Sequence, residues 1–276
     1  SSEGLSERGL SWHLQQMGSD EVAISTAAEL VDAAKEVVVL TGAGISTDSG
    51  IPDFRGKNGL WTRNPKAERA AQIDAYLSDA SVRRANWRVM QEMTQSWKPS
   101  PNAGHQACVA LERAGKLSLL VTQNVDGLHQ QAGNDPHRVV EVHGSLRETT
   151  CLNCGHTERM EETTARVTDK QPEPPCSACG GGPLKASIVL FGEQLPAGAM
   201  ERAMAAVSRA QVLLVAGSTL SVWPVAGVVP AAKRAGAKLI IVNKGPTEMD
   251  VLADVRVDGS ISEVLPLIVR APTSRL

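Results

Sequence analysis

Short continuous apolar runs, each closing on small polar residues, recur along this chain. Val37-Val38-Val39-Leu40 is the first, and Leu117 to Thr122, Val139 to Val142, Val212 to Ala216 and Lys238 to Val242 repeat its form. Runs of this length without period-two alternation predict strands covered on both faces, as in a parallel sheet. Ile188 to Glu193 and Val251 to Val257 also carry strand character. Alanine-rich segments between the runs predict helices over 21–35, 64–94, 102–114, 200–210 and 225–235, with a closing helix over 261–269 and a frayed end at 272–276. Strand, helix, strand at the spacing of 212–242 predicts a right-handed βαβ unit. The class is α/β.

Within 64–94, Trp87, Val89, Met90 and Met93 form a stripe suited to burial, and Arg83-Arg84 reads as a solvated face. His105 and Cys108 read as packing or capping residues, Cys108 as a small buried hydrophobe. His129, His137 and His156 have no setting that singles them out and read as structural.

The candidate chemistry sits where the apolar runs stop. After the first run come Gly42-Ala43-Gly44-Ile45-Ser46-Thr47, whose glycines let backbone approach a ligand and whose Ser46 and Thr47 offer an N-cap and N–H groups for an anion. That is a phosphate- or dinucleotide-binding turn, but not a dehydrogenase fingerprint. Thr47 stands where the third glycine of G-x-G-x-x-G would be, and no acidic residue follows at about 20 positions. Ser49 to Gly56, with Ile51, Pro52, Asp53, Phe54 and Arg55, is loop chemistry and reads as a lid. The second run ends in Gln123-Asn124-Val125-Asp126, amides and a carboxylate that suit a carboxamide and ribose hydroxyls. Open parallel sheets bind ligands at such carboxyl ends. The third ends in His143-Gly144, a histidine placed to act as a base near neutrality. Ser218-Thr219 and Asn243 end the later runs and predict a second half of the nucleotide site.

Four of the five cysteines form two knuckles, Cys151-x-x-Cys154 and Cys176-x-x-Cys179, each followed by glycine. This suits tetrahedral thiolate ligation of zinc. Four thiolates close the coordination shell, so the metal is expected to fold an insertion and do no chemistry. A redox role for a pair is the alternative reading. Residues 161–175 between the knuckles are polar and read as an exposed arm.

Composition removes other classes. A net charge of −2 gives no electrostatic case for nucleic acid or an anionic membrane, and 3% aromatics leave little for base stacking. No apolar run approaches the ~18 residues of a membrane span. The first residues have neither a basic nor an apolar region of a secretory signal, and cysteine usage speaks against a secreted disulfide framework.

Together these segments resemble the sirtuin family of NAD-dependent protein deacylases, over roughly residues 20 to 270. The matching motifs are Gly42-Ala43-Gly44-Ile45-Ser46, Gly50-Ile51-Pro52-Asp53-Phe54-Arg55, Thr122 to His129, His143-Gly144, the two knuckles, Phe191-Gly192-Glu193, Gly217-Ser218-Thr219-Leu220 and Val242-Asn243. Gly245-Pro246-Thr247 and the Trp-rich helical segment are most similar to the branch with the mitochondrial sirtuin-4-like enzymes. The resemblance implies a Rossmann-like parallel sheet domain (20–56, 99–146 and 186–276), with a helical insertion at 57–98 and a zinc-ribbon insertion at 147–185. It implies NAD as co-substrate, one structural zinc on Cys151, Cys154, Cys176 and Cys179, and catalysis by His143, Asn124 and Asp126. NAD contacts would come from Gly42, Ala43, Gly44, Ile45, Asp53, Phe54, Arg55, Gln123, Asn124, Val125, Asp126, Gly217, Ser218, Thr219, Asn243, Lys244, Gly245 and Ile261. Val189, Phe191 and Gly192 would form the edge to which an extended acyl-lysine peptide adds.

The implied reaction begins with attack of the acyl oxygen on the anomeric carbon, which expels nicotinamide and leaves an alkylamidate. His143 then acts as base for a ribose hydroxyl, giving free lysine and O-acyl-ADP-ribose. Desuccinylating relatives carry a Tyr-x-x-Arg clamp. The single tyrosine, Tyr76, is followed by Asp79 at that spacing, so acetyl or a longer neutral acyl group is expected. Ala186-Ser187 departs from the proline that relatives often place before the strand. A monomer in the cytoplasm, or in the mitochondrial matrix of a eukaryote, is expected. The competing classes are an ADP-ribosyltransferase or NAD glycohydrolase using the same site, and a non-catalytic zinc-ribbon binding module.

Overall fold

Every residue of Val37–Thr41 is buried, and this strand, β1, is the axis of the main sheet. A computed structural model describes residues 18–53 and 71–269. Before β1 lies α1 (Ser19–Ala33), and after it a 3₁₀ helix, Ala43–Ser49. Two helices, α2 (Ile73–Ser78) and α3 (Ala80–Ser96), lead to α4 (Ala103–Arg113), β2 (Leu117–Thr122), the short α5 (Leu128–Ala132) and β3 (Val139–Glu141). A smaller lobe follows: β4 (Gly144–Cys151), β5 (Thr157–Arg159), α6 (Met160–Thr164) and β6 (Leu184–Ile188). The chain then returns through α7 (Ala199–Val207), β7 (Val212–Ala216), α8 (Val228–Arg234), β8 (Lys238–Val242), β9 (Val255–Val257) and α9 (Ile261–Ile268).

The large sheet has the order β3-β2-β1-β7-β8-β9, all parallel. Successive residues of β1 serve opposite faces. Val37 and Val39 join a core with Val31 of α1, Leu111 of α4 and Leu265 of α9, while Val38 and Leu40 join one with Val207 of α7 and Val229 of α8. Both faces are dry, which is why the strand sequence is continuously apolar. Each such side chain contributes about 1.5–3 kcal/mol on burial. The chain proceeds from β1 outward through β2 and β3, then crosses to β7 on the other side. The order therefore reverses at β1, the point where open parallel sheets form their ligand crevice.

In the small lobe β5-β4-β6 is antiparallel. Its core joins Trp87 and Met90 of α3 to Met160, Val167, Leu184 and Ala186, with Cys151 and Cys176 at its rim.

Several sequence expectations change here. Val89 is 48% exposed, so the helical stripe is Trp87 and Met90 with Met93 half-buried. Arg83 and Arg84 are not a solvated face, because both hold Glu173, at 2.6 and 3.3 Å. The segment 161–175 is no free arm. It opens inside α6, buries Thr163, Thr164 and Val167, and its Thr164 and Val167 carbonyls accept from the Gln91 amide of α3. The strand expected over 188–193 lies earlier, at Leu184–Ile188, and the strand expected from Val251 begins at Val255, Val251 being 92% exposed. Residues 225–227 form a 3₁₀ turn before α8 begins. No helix among the described residues is long and apolar enough to cross a membrane.

Candidate active site

The carboxyl ends of the parallel strands are joined in series. Gly42 N–H donates to Ala216 O of β7, Gly217 N–H to Val242 O of β8, and Asn243 N–H to Val257 O of β9. On the other side Gln123 N–H donates to Thr41 O, and the Gln123 amide reaches past β1 to Ser218 Oγ at 2.9 Å. Gln123, Asn124, Asp126, Ser218 and Asn243 thus gather at the switch point.

The glycines of the first turn also serve the fold. A Cβ on Gly42 would meet Gly217 O at 2.7 Å, and one on Gly44 would meet Gly217 Cα at 2.7 Å. Gly217 itself has φ +68, and a Cβ there would strike the Ile45 nitrogen. The three glycines pack backbone against backbone, tying the turn after β1 to the turn after β7. The 3₁₀ helix begins directly from them with Gly42 as its cap and no side-chain capping bond, so Ser46 and Thr47 are not N-caps. It closes at Gly50, in the left-handed conformation with φ +84.

Ser46 is instead fully buried at the centre of a polar chain. Its hydroxyl donates to Asp126 Oδ2 at 2.7 Å and accepts from the Asn124 amide at 3.2 Å. Asn124 also donates to Gly42 O, and Asp126 Oδ1 accepts from Leu128 N–H. His105 Nδ1 accepts from Asn102 N–H, so its proton lies on Nε2, which donates to Ser46 Oγ at 3.4 Å. The Asn102 side chain caps α4 and donates to Ile45 O, which fixes the loop from the same helix end. Below, the His129 ring lies 4.9 Å from that of His105 and Nε2 bonds Thr41 Oγ1. Burial keeps both rings neutral: it lowers His105 to about 4 and His129 well below its ordinary value. Sequence reading gave His105 and His129 only packing or structural roles. Fifty-nine residues separate Ser46 from His105, and nothing periodic links them.

His143 follows β3 and precedes β4. Its Nδ1 is 3.0 Å from Gln123 O. A carbonyl only accepts, so Nδ1 carries the proton and Nε2 keeps its lone pair. Burial lowers its pKa from the ordinary value, opposed in part by this hydrogen bond. The next residue, Gly144, has φ +77, and a side chain there would strike Ser187 O of β6.

Of the other expected contacts, Ala43 and Val125 are half-buried beside these groups, Lys244 and Thr219 are exposed, and Ile45 and Ile261 are buried in the core. Asn243 donates to Gly245 O at 3.1 Å. Asp53 is half-buried, while Phe54 and Arg55 lie outside the described residues. Phe191 pairs with Gln72: its N–H donates to Ala71 O and its C=O accepts from Ile73 N–H. Its backbone groups are therefore engaged, and Val189 N–H is held by His143 O at 2.8 Å. Tyr76 is buried, its hydroxyl donating to Leu184 O at 2.6 Å.

The four knuckle sulfurs lie within 4.8 Å of one another. Zn–S bonds of about 2.3 Å in a tetrahedron place sulfurs roughly 3.8 Å apart. The Cys151–Cys179 and Cys154–Cys176 separations are both 3.8 Å, far beyond a disulfide. All four cysteines serve one cluster, which fits a single structural zinc and leaves no pair for redox work.

Polar strand ends at a sheet switch point, a histidine beside them and a four-cysteine lobe make this an α/β protein with a candidate nucleotide site. The Sir2 family profile matches residues 42–224. The NAD-dependent protein deacetylase 2 of Streptomyces coelicolor is 42% identical over 85% of this chain and 96% of its own length. The NAD-dependent protein deacylase 2 of Archaeoglobus fulgidus is 42% identical over 90% of this chain and 96% of its own. A solved Sir2 structure with a deacetylated peptide and 3′-O-acetyl-ADP-ribose superposes with a TM-score of 0.80 at 33% identity, covering 89% and 96% of the two chains. The chain belongs to the Sir2 family.

Proposed function

We propose that this NAD-dependent protein deacylase removes acetyl or another neutral acyl group from lysine, with His143 as general base. The observation that carries the assignment is the His143 tautomer. Gln123 O holds the proton on Nδ1, leaving Nε2 able to take a proton from a ribose hydroxyl. Bound NAD supplies an anomeric carbon from which nicotinamide departs as the acyl oxygen arrives. Asn124 and Asp126, locked to one another through Ser46, orient the nicotinamide ribose and carboxamide. Residues 42–45 face the diphosphate, and Ser218, Asn243, Lys244 and Gly245 the adenosine half. With one water, the products are free lysine, nicotinamide and O-acyl-ADP-ribose.

The peptide is held in extended form beside residues 189–192. With the backbone of Phe191 engaged, Val189 O and Gly192 are, among the described residues, the groups proposed to pair with it. Tyr76 supports a neutral acyl group, because its hydroxyl is committed to Leu184 O and offers nothing to an acid tail. The division into a sheet domain with helical and zinc-binding insertions belongs to the same reading.

Mass spectrometry of an acetyl-lysine peptide incubated with the enzyme and NAD tests it. Loss of the acetyl mass with appearance of O-acetyl-ADP-ribose is expected. Nicotinamide release with the peptide still acetylated, or ADP-ribose added to protein, would refute deacylation in favour of glycohydrolase or transferase chemistry.

A further inference from the structure

Strand β6 buries a lysine. The Lys185 side chain is 7% exposed, in a strand otherwise made of Leu184, Ala186, Ser187 and Ile188. An ammonium has three donors, and all three are used. Nζ donates to Ala186 O at 3.1 Å, to Ile188 O, and to Glu193 Oε2 at 3.0 Å. The same Glu193 oxygen accepts from Leu190 N–H at 2.8 Å, while Glu193 N–H donates to Leu190 O at 3.0 Å. Leu190-Phe191-Gly192-Glu193 is thus a closed four-residue turn, with Gly192 at φ +91 in its third position as a type II turn requires.

This turn touches both sides of the proposed peptide site. Val189 N–H on its near side is held by the His143 carbonyl. Phe191 on its far side pairs with residues 71–73, and a Cβ on Gly192 would meet Ile73 at 3.0 Å. A buried ion pair is a weak source of stability, but removing one partner leaves an uncompensated charge. Its best use is to fix one geometry. Here that geometry is of the segment carrying half-buried Val189 and exposed Gly192.

We infer that the Lys185–Glu193 pair is a positioning device for the acyl-peptide, setting the 188–193 turn against His143 without touching NAD. The inference rests on the deacylase reading of the site and names what shapes its peptide half. Among the described residues Lys185 bonds Ala186 O, Ile188 O and Glu193 and not the strand ends that gather at the switch point, so its loss is expected to act on the peptide and not on the nucleotide. Lys185 stiffens this stretch through its bonds to Ala186 O, Ile188 O and Glu193.

The test uses the full chain and three variants: Glu193→Gln, Lys185→Met and Lys185→Arg. Peptide KM and kcat are measured at saturating NAD with an acetyl-lysine peptide, and NAD affinity is measured calorimetrically without peptide. Glu193→Gln keeps shape and Lys185 in place, so it answers the question even if Lys185→Met fails to fold. The expected result is a peptide KM raised about tenfold or more in Glu193→Gln, with NAD affinity within about twofold of the parent, and KM largely restored in Lys185→Arg relative to Lys185→Met. An unchanged peptide KM in Glu193→Gln overturns the inference, as does a parallel fall in NAD affinity, which marks a general structural role. If the unsubstituted enzyme leaves the peptide acetylated, the deacylase reading itself fails, an outcome distinct from turnover with an insensitive KM.

Discussion

At the residue scale the site depends on which nitrogen of a histidine carries its proton. Both tautomers follow from acceptors that cannot donate or donors that cannot accept: Gln123 O fixes His143, and Asn102 N–H fixes His105. Burial lowers the His143 pKa below its ordinary 6.5, and the neutral ring is the form proposed as the base. The neutral fraction is half at the lowered pKa and falls as pH drops through it. kcat/KM for the peptide should therefore show an acidic limb whose midpoint lies below pH 6.5. An acidic limb centred above pH 6.5 would contradict the assignment. His143→Ala should lower kcat by about 10²–10⁴-fold, the usual contribution of a general base, with NAD binding retained. The place of His143 at a strand end was legible in sequence because an apolar run stops at it. The chain His105–Ser46–Asp126 was not, since each member sits on a different element and only packing brings them together.

At the element scale the parallel strands were readable to the residue in several cases. Leu117–Thr122, Val212–Ala216 and Lys238–Val242 match the apolar runs because both faces of each strand are dry. The small lobe was read less well. Its sheet has one core face, its segments are short, and its order comes from pairings such as Arg83–Glu173 and Gln91 to the 164–167 turn. The strand expected at 188–193 was displaced because a lysine, a glutamate and a positive-φ glycine turn that stretch into a clamp. The cysteine spacing was legible, and what it holds is now specific. Cys151 and Cys176 share a core with Trp87, itself only 1% exposed. Chelation of the metal should therefore expose Trp87 and red-shift tryptophan emission, while nucleotide binding by the large sheet weakens far less. Cobalt in place of zinc should leave the chemistry unchanged. A catalytic rate that tracked the identity of the metal would show that the cluster does more than hold the lobe.

Over the whole molecule, one sheet supplies both rigidity and address. Its order reverses at β1, so the crevice lies where the turns after β1 and β7 meet, and the seam between them is made by Gly42, Gly44 and Gly217. Gly217→Ala puts a Cβ into the Ile45 nitrogen and demands an unfavourable φ, so a large loss of thermal stability is expected. Gly50 also has positive φ but nothing within 4 Å of its missing Cβ, so Gly50→Ala should cost only about 1–2 kcal/mol. Differential scanning calorimetry of the two variants compares them. Equal effects would mean that conformation alone, and not the seam, requires the glycines.

That seam bears on how the enzyme can change over generations. A glycine that faced only the cofactor could be exchanged when a different cofactor was favoured, at some gain to set against the loss. These three also pack on one another's backbones, so an altered ligand alone does not compensate for replacing any of them. Drift in nucleotide preference, or its redesign, has to run through the side chains that flank the seam, among them Ala43, Gln123, Ser218 and Lys244. The glycines stay fixed while the specificity around them is free to move.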